Sequence, residues 1–170
     1  MASDHLKATL EGLKQTLEED VNFFDDYVHQ LHMFYAENGP AYSVENGKLT
    51  IQLLVGDTPD EERFTTDNTQ SSILPTIFGL VCDTKFSQDS EAFISEDYET
   101  FLDLEYRLLR SLQSHASWNA ATHHNGFNIQ GIDRDVPVLT EDGEVDQDIR
   151  RFIVSLYVEV YFDRDDGVLG

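Results

Sequence analysis

Histidines and carboxylates are the residues of this 170-residue chain whose types could do chemistry. His29 and His32 are three residues apart in a helical pattern, and His123 and His124 follow His115 in a predicted loop. Metal ligation requires a third convergent ligand and outer hydrogen bonds that orient the ligands. Since no His-Glu-x-x-His sequence occurs, we interpret the histidines as polar surface or helix-end residues and predict no metal site.

Acidic turns at residues 133–135, 141–144 and 163–167 resemble fragments of calcium loops. None has the twelve-residue EF-hand pattern with its closing glutamate. With 33 acidic residues, some carboxylates lie close together by chance, so no pair is assigned to acid–base catalysis.

Cys82 is the single cysteine, so an intrachain disulfide is excluded, and its apolar neighbours predict a buried, inert thiol. The chain lacks a Gly-x-x-x-x-Gly-Lys-Ser/Thr loop, a Gly-x-Gly-x-x-Gly turn and a Gly-x-Ser-x-Gly elbow. We therefore predict no catalytic residue, no cofactor and no enzymatic activity.

The formal charge is −22, from 33 acidic and 11 basic residues that are spread along the chain. Self-repulsion of this size destabilises a compact state in dilute buffer. At about 1 M salt the Debye length falls to about 3 Å, and the repulsion becomes tolerable. The charge predicts a salt-rich environment and argues against sequence-independent DNA binding, which needs lysine and arginine on the phosphates.

The first segment has the spacing of an amphipathic helix. Ser3 is the predicted N-cap, the helix is expected to stop at Asn38-Gly39-Pro40, and a break near Asp20 is compatible with its length. A coiled coil is the alternative. The apolar residues that recur at spacings of three and four are Leu6, Leu10, Leu13, Leu17, Val21, Phe24, Val28, Leu31 and Tyr35.

Further along, residues 48–55 and 127–132 are predicted strands, and residues 71–86 hold one or two short strands with Pro75 at an edge or bulge. Residues 136–139 are predicted to extend the strand over residues 127–132 or to form a short partner for it. A second helix over residues 96–118 carries an apolar stripe of Phe101, Leu104, Leu108, Leu112 and His115, and Trp118 near its end is a core or interface aromatic.

The last segment alternates apolar and mixed residues at period two, which indicates a long strand with one face in the core. The core-facing residues are Phe152, Val154, Leu156, Val158, Val160 and Phe162. The opposite face is not fully dry, and tyrosine combines an apolar ring with a polar tip. We predict a subunit interface on that face, formed by Arg151, Tyr157, Glu159 and Tyr161.

These elements predict an α+β fold, with a mostly antiparallel sheet packed against a long N-terminal helix and a second central helix. Residues 1–170 are expected to form a single domain. We expect no membrane span, because no 18-residue apolar stretch occurs, and no signal peptide, because the N-terminus lacks a basic region followed by an apolar one.

The order of elements resembles that of the tail terminator, or tail completion, proteins of long-tailed viruses. The matching pieces are the opening helix over residues 6–31, the helical residues 101–110 and the closing strand over residues 150–162. The acid content is similar to that of proteins from salt-loving archaea, so a virus of a halophilic archaeal host is implied.

The resemblance implies a structural virion protein in the neck, assembled in the host cytoplasm. Such proteins form a homohexameric ring on the tail tube protein and join it to the head-side connector. DNA would pass through the lumen without specific binding, and we expect carboxylates to face that lumen. The alternatives are another head–tail neck adaptor, a small halophilic enzyme or ligand-binding domain using His115, His123 or His124, and an interaction module pairing through its first helix.

Overall fold

Three helices and six strands make up the described parts of the computed structural model. It describes residues 2–33, 43–56, 65–66, 71–85, 95–114, 124–134, 136–140, 142–146 and 148–163. The helices are α1 (Ala2–Glu19), α2 (Val21–Tyr27) and α3 (Ser95–Ser114). The strands are β1 (Val28–Met33), β2 (Leu49–Val55), β3 (Thr65–Thr66), β4 (Ser71–Lys85), β5 (His124–Asp133) and β6 (Ile149–Asp163).

The strands form one sheet in the order β1-β2-β4-β6-β5, with β3 paired to β4. The pairing of β1 with β2 is parallel, and the other pairings are antiparallel. The strands β5 and β6 are antiparallel neighbours at one edge of the sheet. The predicted α+β class with a mostly antiparallel sheet is therefore confirmed.

The helices lie on one face of the sheet and close a hydrophobic core. The core-facing residues of β6 from Phe152 to Val160 are fully buried, as the period-two pattern predicts. In α3 the predicted stripe is buried, and Phe101 meets Phe152 edge to face with ring centroids 5.5 Å apart. Each fully buried apolar side chain of this size contributes about 1.5–3 kcal/mol. His115 and Trp118 lie outside the described residues.

The prediction that the N-terminal segment stays helical beyond Tyr27 is wrong. The predicted break is present: α1 ends at Glu19, and the Asp20 side chain caps α2 by accepting a hydrogen bond from the Phe23 amide at 3.4 Å. The chain then leaves the helix at Val28 and enters β1. Residues 34–40 of the predicted helix, including its stop signal, lie outside the described residues.

A β-bulge explains why β1 has the spacing of a helix. Val28 pairs with Leu49 and Gln30 pairs with Thr50, so His29 is an extra residue in β1. In a regular strand, residues three apart point to opposite faces. The bulge shifts that alternation by one residue, so Val28 and Leu31 both lie in the core and reproduce the i, i+3 pattern.

Residues 71–85 form one strand instead of two short ones, with an unbroken register against β6. The Ile77 carbonyl accepts a hydrogen bond from the Gly56 amide at 2.7 Å, at the end of β2. Residues two apart in a strand direct their backbone groups to the same neighbour. Pro75, which has no N–H, therefore faces the gap between β2 and β3, and the ladder with β6 loses nothing.

A short hairpin projects between β5 and β6, where the sequence predicts an extension or a short partner. We call it the arm and define it as the described residues 136–140 and 142–146. The Val136 amide donates to the Arg151 carbonyl at 3.0 Å at its base, and Leu139 pairs with Val145 near its turn.

None of the described helices is long and apolar enough to cross a membrane.

Val158 tests the facing of β6, because its side chain is fully buried. We expect Val158→Asp to remove cooperative thermal unfolding even in high salt, since an unpaired buried carboxylate costs a large part of a total stability of about 5–15 kcal/mol. Ser155→Asp, on the opposite face of the same strand, is the matched control and should melt as a folded protein. Circular dichroism melts of both variants make the comparison, and a wild-type melt for Val158→Asp would contradict the facing.

Candidate interface on the outer face of the sheet

The sheet has a second face that points away from the helices, which we call the outer face. Register places paired residues of neighbouring strands on the same side, and this side alternates with the buried one. In the three central strands, the outer face consists of Thr50, Gln52 and Leu54 in β2; Pro75, Ile77, Gly79, Val81, Asp83 and Lys85 in β4; and Ile149, Arg151, Ile153, Ser155, Tyr157 and Glu159 in β6.

Three of the four predicted interface residues have described side chains on this face. Arg151, Tyr157 and Glu159 are partly exposed. Tyr161 pairs with Ile73 through the backbone of β6, and its side chain lies outside the described part of the chain. The β-strand period thus brings the predicted residues to one surface.

Arg151 makes a bidentate ion pair with Asp83, its direct cross-strand partner. Arg151 Nε donates to Asp83 Oδ1 at 2.6 Å, and Nη2 donates to Oδ2 at 2.7 Å. The Asp83 side chain is 1% exposed and that of Arg151 is 24% exposed. The hydrogen bond to Asp83 raises the pKa of Arg151, while burial acts in the opposite direction, so the Arg151 guanidinium keeps its charge.

The turn before β2 covers one end of the outer face. Thr50 Oγ1 donates to the Ser43 carbonyl at 2.7 Å, and His29 Nε2 lies 3.0 Å from Ser43 Oγ. His29 Nδ1 lies 2.8 Å from a Glu45 carboxylate oxygen. His29, the extra residue of the bulge, therefore holds this turn to β1.

The two histidine side chains that the structure describes, His29 and His32, do not converge. His32 Nε2 lies 2.9 Å from the Gln30 side-chain oxygen, whereas His29 contacts the turn. His115, His123 and the side chain of His124 lie outside the described residues. Across the residues that the structure describes, no group of three or more histidine, cysteine or acidic side chains is placed to hold a metal ion.

In the three central strands, the outer face between Pro75 and Lys85 of β4 carries equal numbers of acids and bases on a strongly acidic molecule. Its two acids are Asp83 and Glu159, and its two bases are Lys85 and Arg151. Beside these strands, the exposed Asp133 of β5 pairs with Ile153 and adds an acid to the same face. The exposed surfaces of the helices differ, since they carry Glu11, Glu18, Glu19, Asp25, Asp26, Glu99 and Asp103. Partly exposed Leu54, Ile77, Val81, Ile153 and Tyr157 fill the outer face between its charged ends.

Cys82 precedes Asp83 but points into the core, so the predicted burial of its thiol is confirmed. Burial raises the pKa of the Cys82 thiol well above its ordinary value, and Glu105 adds to this while Arg151 opposes it. The thiol is therefore protonated at neutral pH and lacks the thiolate form that a nucleophile needs.

Described residues of the helical layer line two clefts. One, of about 530 Å³, separates α1 from β1 and is lined by Glu11, Lys14, Gln15, Glu18, Leu31, His32 and Met33. The other, of about 470 Å³, we call the α2–α3 cleft. Its lining residues are Asp20, Asn22, Phe23, Asp26, Tyr27, Arg107, Arg110 and Ser111.

The sequence pattern does not predict the α2–α3 cleft or the pairing of Glu105 with Arg134. Arg134 donates to the buried Glu105 carboxylate at 2.9 Å from Nε and 2.7 Å from Nη2. The arginines at positions 107 and 110, three residues apart in a base-poor chain, are the one local signal for the cleft. Nothing local announces the partner of Glu105, which is 29 residues away.

No model of a known protein family matches the chain, and no curated protein matches it.

The Asp83–Arg151 pair gives a stability prediction. Arg151→Met should lower the free energy of unfolding by about 3–5 kcal/mol, because it leaves a buried carboxylate without its counter-charge. Replacing both residues, with Asp83→Leu and Arg151→Met, should recover most of that loss. Lys14→Met, which breaks the exposed Lys14–Glu18 pair, is the control and should cost less than about 1 kcal/mol. Urea titrations in high salt measure all three, and a double variant less stable than Arg151→Met would contradict the interpretation.

Cys82 gives a prediction of pH dependence. The folded thiol stays protonated above pH about 8.5, where an unfolded thiol ionises. The unfolded state then binds fewer protons, so the free energy of unfolding should fall with rising pH, by up to about 1.4 kcal/mol per unit. Cys82→Ala should lose this part of the alkaline slope. Urea midpoints between pH 7 and 10 measure it, and parallel pH profiles for the two proteins would exclude the effect.

Proposed function

We propose that this protein is a structural virion protein, a tail terminator that forms a ring capping the tail tube and joins the tail to the head-side connector. The observation that carries the proposal is the balance of acids and bases on the outer face of the three central strands, on a chain of formal charge −22. The element order that resembles terminators supports it. The protein acts by assembly instead of catalysis.

Charge decides where two copies can meet. Two acidic surfaces repel each other, and like-charge juxtaposition costs several kcal/mol. The outer face of the three central strands reduces this cost, since its two acids and two bases balance. It also offers the ring of Tyr157 beside Ile77, its cross-strand partner, and aromatic residues are enriched in the cores of protein interfaces.

The predicted interface residues have distinct roles in the proposal. Tyr157 supplies contact area near the middle of the face, and Glu159 supplies a charge towards one end. Arg151 is held by Asp83 within the chain, so it contributes a shaped and neutralised surface. Tyr161 extends the same row of β6.

The ring is proposed to be a homohexamer that contacts the tail tube protein and the connector, in a virus of a halophilic archaeal host. Its lumen carries DNA towards the tail. Carboxylates that face the lumen would repel the phosphate backbone, because sequence-independent DNA binding depends on lysine and arginine. The acid excess of the chain supports this part of the proposal.

The test is the mass of the assembly in about 1 M salt, where the Debye length is about 3 Å. Sedimentation and negative-stain images should give a ring for the wild type. Tyr157→Glu should weaken assembly at least about tenfold, equivalent to about 1.4 kcal/mol, and should leave the melting of the monomer unchanged because Tyr157 is partly exposed.

The control for Tyr157→Glu is Gln15→Glu, which adds the same charge to the exposed surface of α1. It should assemble as the wild type does. A wild-type monomer at every protein concentration in high salt would refute the ring. A ligand-dependent melting shift in such a monomer would favour the ligand-binding alternative.

A further inference from the structure

Large apolar side chains are exposed at five of the described positions, Val21, Val55, Tyr106, Leu139 and Val145. Leu139 and Val145 belong to the arm. In the sequence, Val21 is next to Asp20 and Asn22, which line the α2–α3 cleft. Tyr106 precedes Arg107 and lies one helical turn before Arg110 on α3.

The arm is a defined hairpin with an apolar pair and an acidic turn. Leu139 and Val145 are direct cross-strand partners, so their side chains share one side, where they are 62% and 49% exposed. The Thr140 amide donates to the Glu144 carbonyl at 2.7 Å. Gly143 has φ +82°, a left-handed conformation that favours glycine. Asp142 and Glu144 are exposed in this turn.

The α2–α3 cleft offers an unused positive charge. Among the arginines of the described ranges, Arg110 makes no hydrogen bond or ion pair, whereas Arg134 and Arg151 each hold a carboxylate in bidentate fashion. Arg107 lies over the Tyr27 ring, 5.0 Å from its centroid, and 3.5 Å from Asp103. The arginines lie on the α3 side of the cleft, and the cleft acids Asp20 and Asp26 belong to the α2 side.

The base of the arm and the cleft lie on different flanks of α3. Arg134 bonds to Glu105 just before the arm begins. At 3.6 residues per turn, Arg107 is about 160° and Ser111 about 120° away from Glu105 around the helix axis. The arm therefore starts on the side of α3 that faces away from the cleft of its own chain.

We infer that the arm of one copy docks in the α2–α3 cleft of the next copy. Asp142 and Glu144 pair with the arginines of the cleft, and Leu139 and Val145 pack against Tyr106, which is exposed one helical turn before Arg110. The inference rests on the proposed self-association and adds its polarity. Two different surfaces that meet head to tail generate a closed ring or an open filament, which a contact between identical surfaces does not.

Charge reversal tests the contact. Arg110→Glu and Glu144→Arg should each weaken assembly at least about tenfold in sedimentation equilibrium, since each places like charges together. The double variant should recover assembly, because the pair is re-formed with opposite sign. Both side chains are exposed, so monomer melting should be unchanged. Lys7→Glu, the same charge change on the exposed surface of α1, is the control and should assemble normally.

The apolar part of the contact has its own variant. Leu139→Ser should weaken assembly without lowering the melting temperature of the monomer, because Leu139 is mostly exposed in the single chain. The same change at Val55, Val55→Ser, is the matched control on an exposed residue away from the arm and the cleft.

The outcomes separate this inference from the proposed function. Assembly that weakens in both single charge variants and returns in the double variant supports the inference. A wild-type ring that none of these variants changes overturns the inference and leaves the ring protein standing. A wild-type monomer overturns both. Unchanged assembly together with a melting shift in inorganic phosphate that Arg110→Glu removes overturns the docking and assigns the cleft to a small anion.

Discussion

The pairing of β4 with β6 is the interaction on which the other elements depend. The two strands are each fifteen residues long and pair without a register shift, from Ser71 with Asp163 to Lys85 with Ile149. The strands β2 and β3 attach to one side of this ladder, and β5 attaches to the other. The core-facing residues of both strands form the floor on which α1 and α3 pack. A slip of one residue would exchange the two faces along the whole ladder.

The Asp83–Arg151 pair bears on that register. A buried ion pair adds little net stability, because desolvation offsets the attraction between its charges. A slip of one residue, however, would place Asp83 opposite Arg150 or Phe152, and Arg151 opposite Cys82 or Thr84. The bidentate pair would then be lost, and an unpaired buried charge is strongly destabilising. The pair therefore disfavours such misregistered ladders more than it stabilises the native one. The same pair adds no net charge to the outer face, so the register and the proposed interface have a common origin.

Local pattern was sufficient for the elements whose side-chain period matches their environment. The period of two in β6 and the stripe in α3 predicted their buried residues, because each has one face in the core. The spacing of Val28 and Leu31 was misleading, since a bulge at His29 reproduces a helical interval within a strand. Pro75 led to the prediction of one or two short strands over residues 71–86 in place of the fifteen-residue β4, because its missing N–H faces a gap that exists only in the assembled sheet.

The candidate interface was predictable in part. The alternation of β6 placed Arg151, Tyr157 and Glu159 on one surface, as the structure shows. The balance of acids and bases in the central strands of that surface was not predictable, because it depends on Asp83, which is 68 residues from Arg151. The α2–α3 cleft was missed for a related reason. Its walls come from two helices that are far apart in the sequence and meet only in the folded chain. The prediction of a helix through residues 21–35 also gave no indication that α2 ends at Tyr27.

An acid excess of this size also constrains the form that self-association takes. Two arms cannot pair with each other, because Asp142 and Glu144 of one would meet the same carboxylates of the other. The α2–α3 cleft is lined by two acids, Asp20 and Asp26, as well as by Arg107 and Arg110, so its charges alone do not exclude a contact between two clefts. A contact between the arm of one copy and the cleft of the next joins two different surfaces, so it has a direction. The scarcity of bases in this chain makes the few arginines in the cleft decisive for that direction, because most other surfaces of the helical layer would repel an acidic turn.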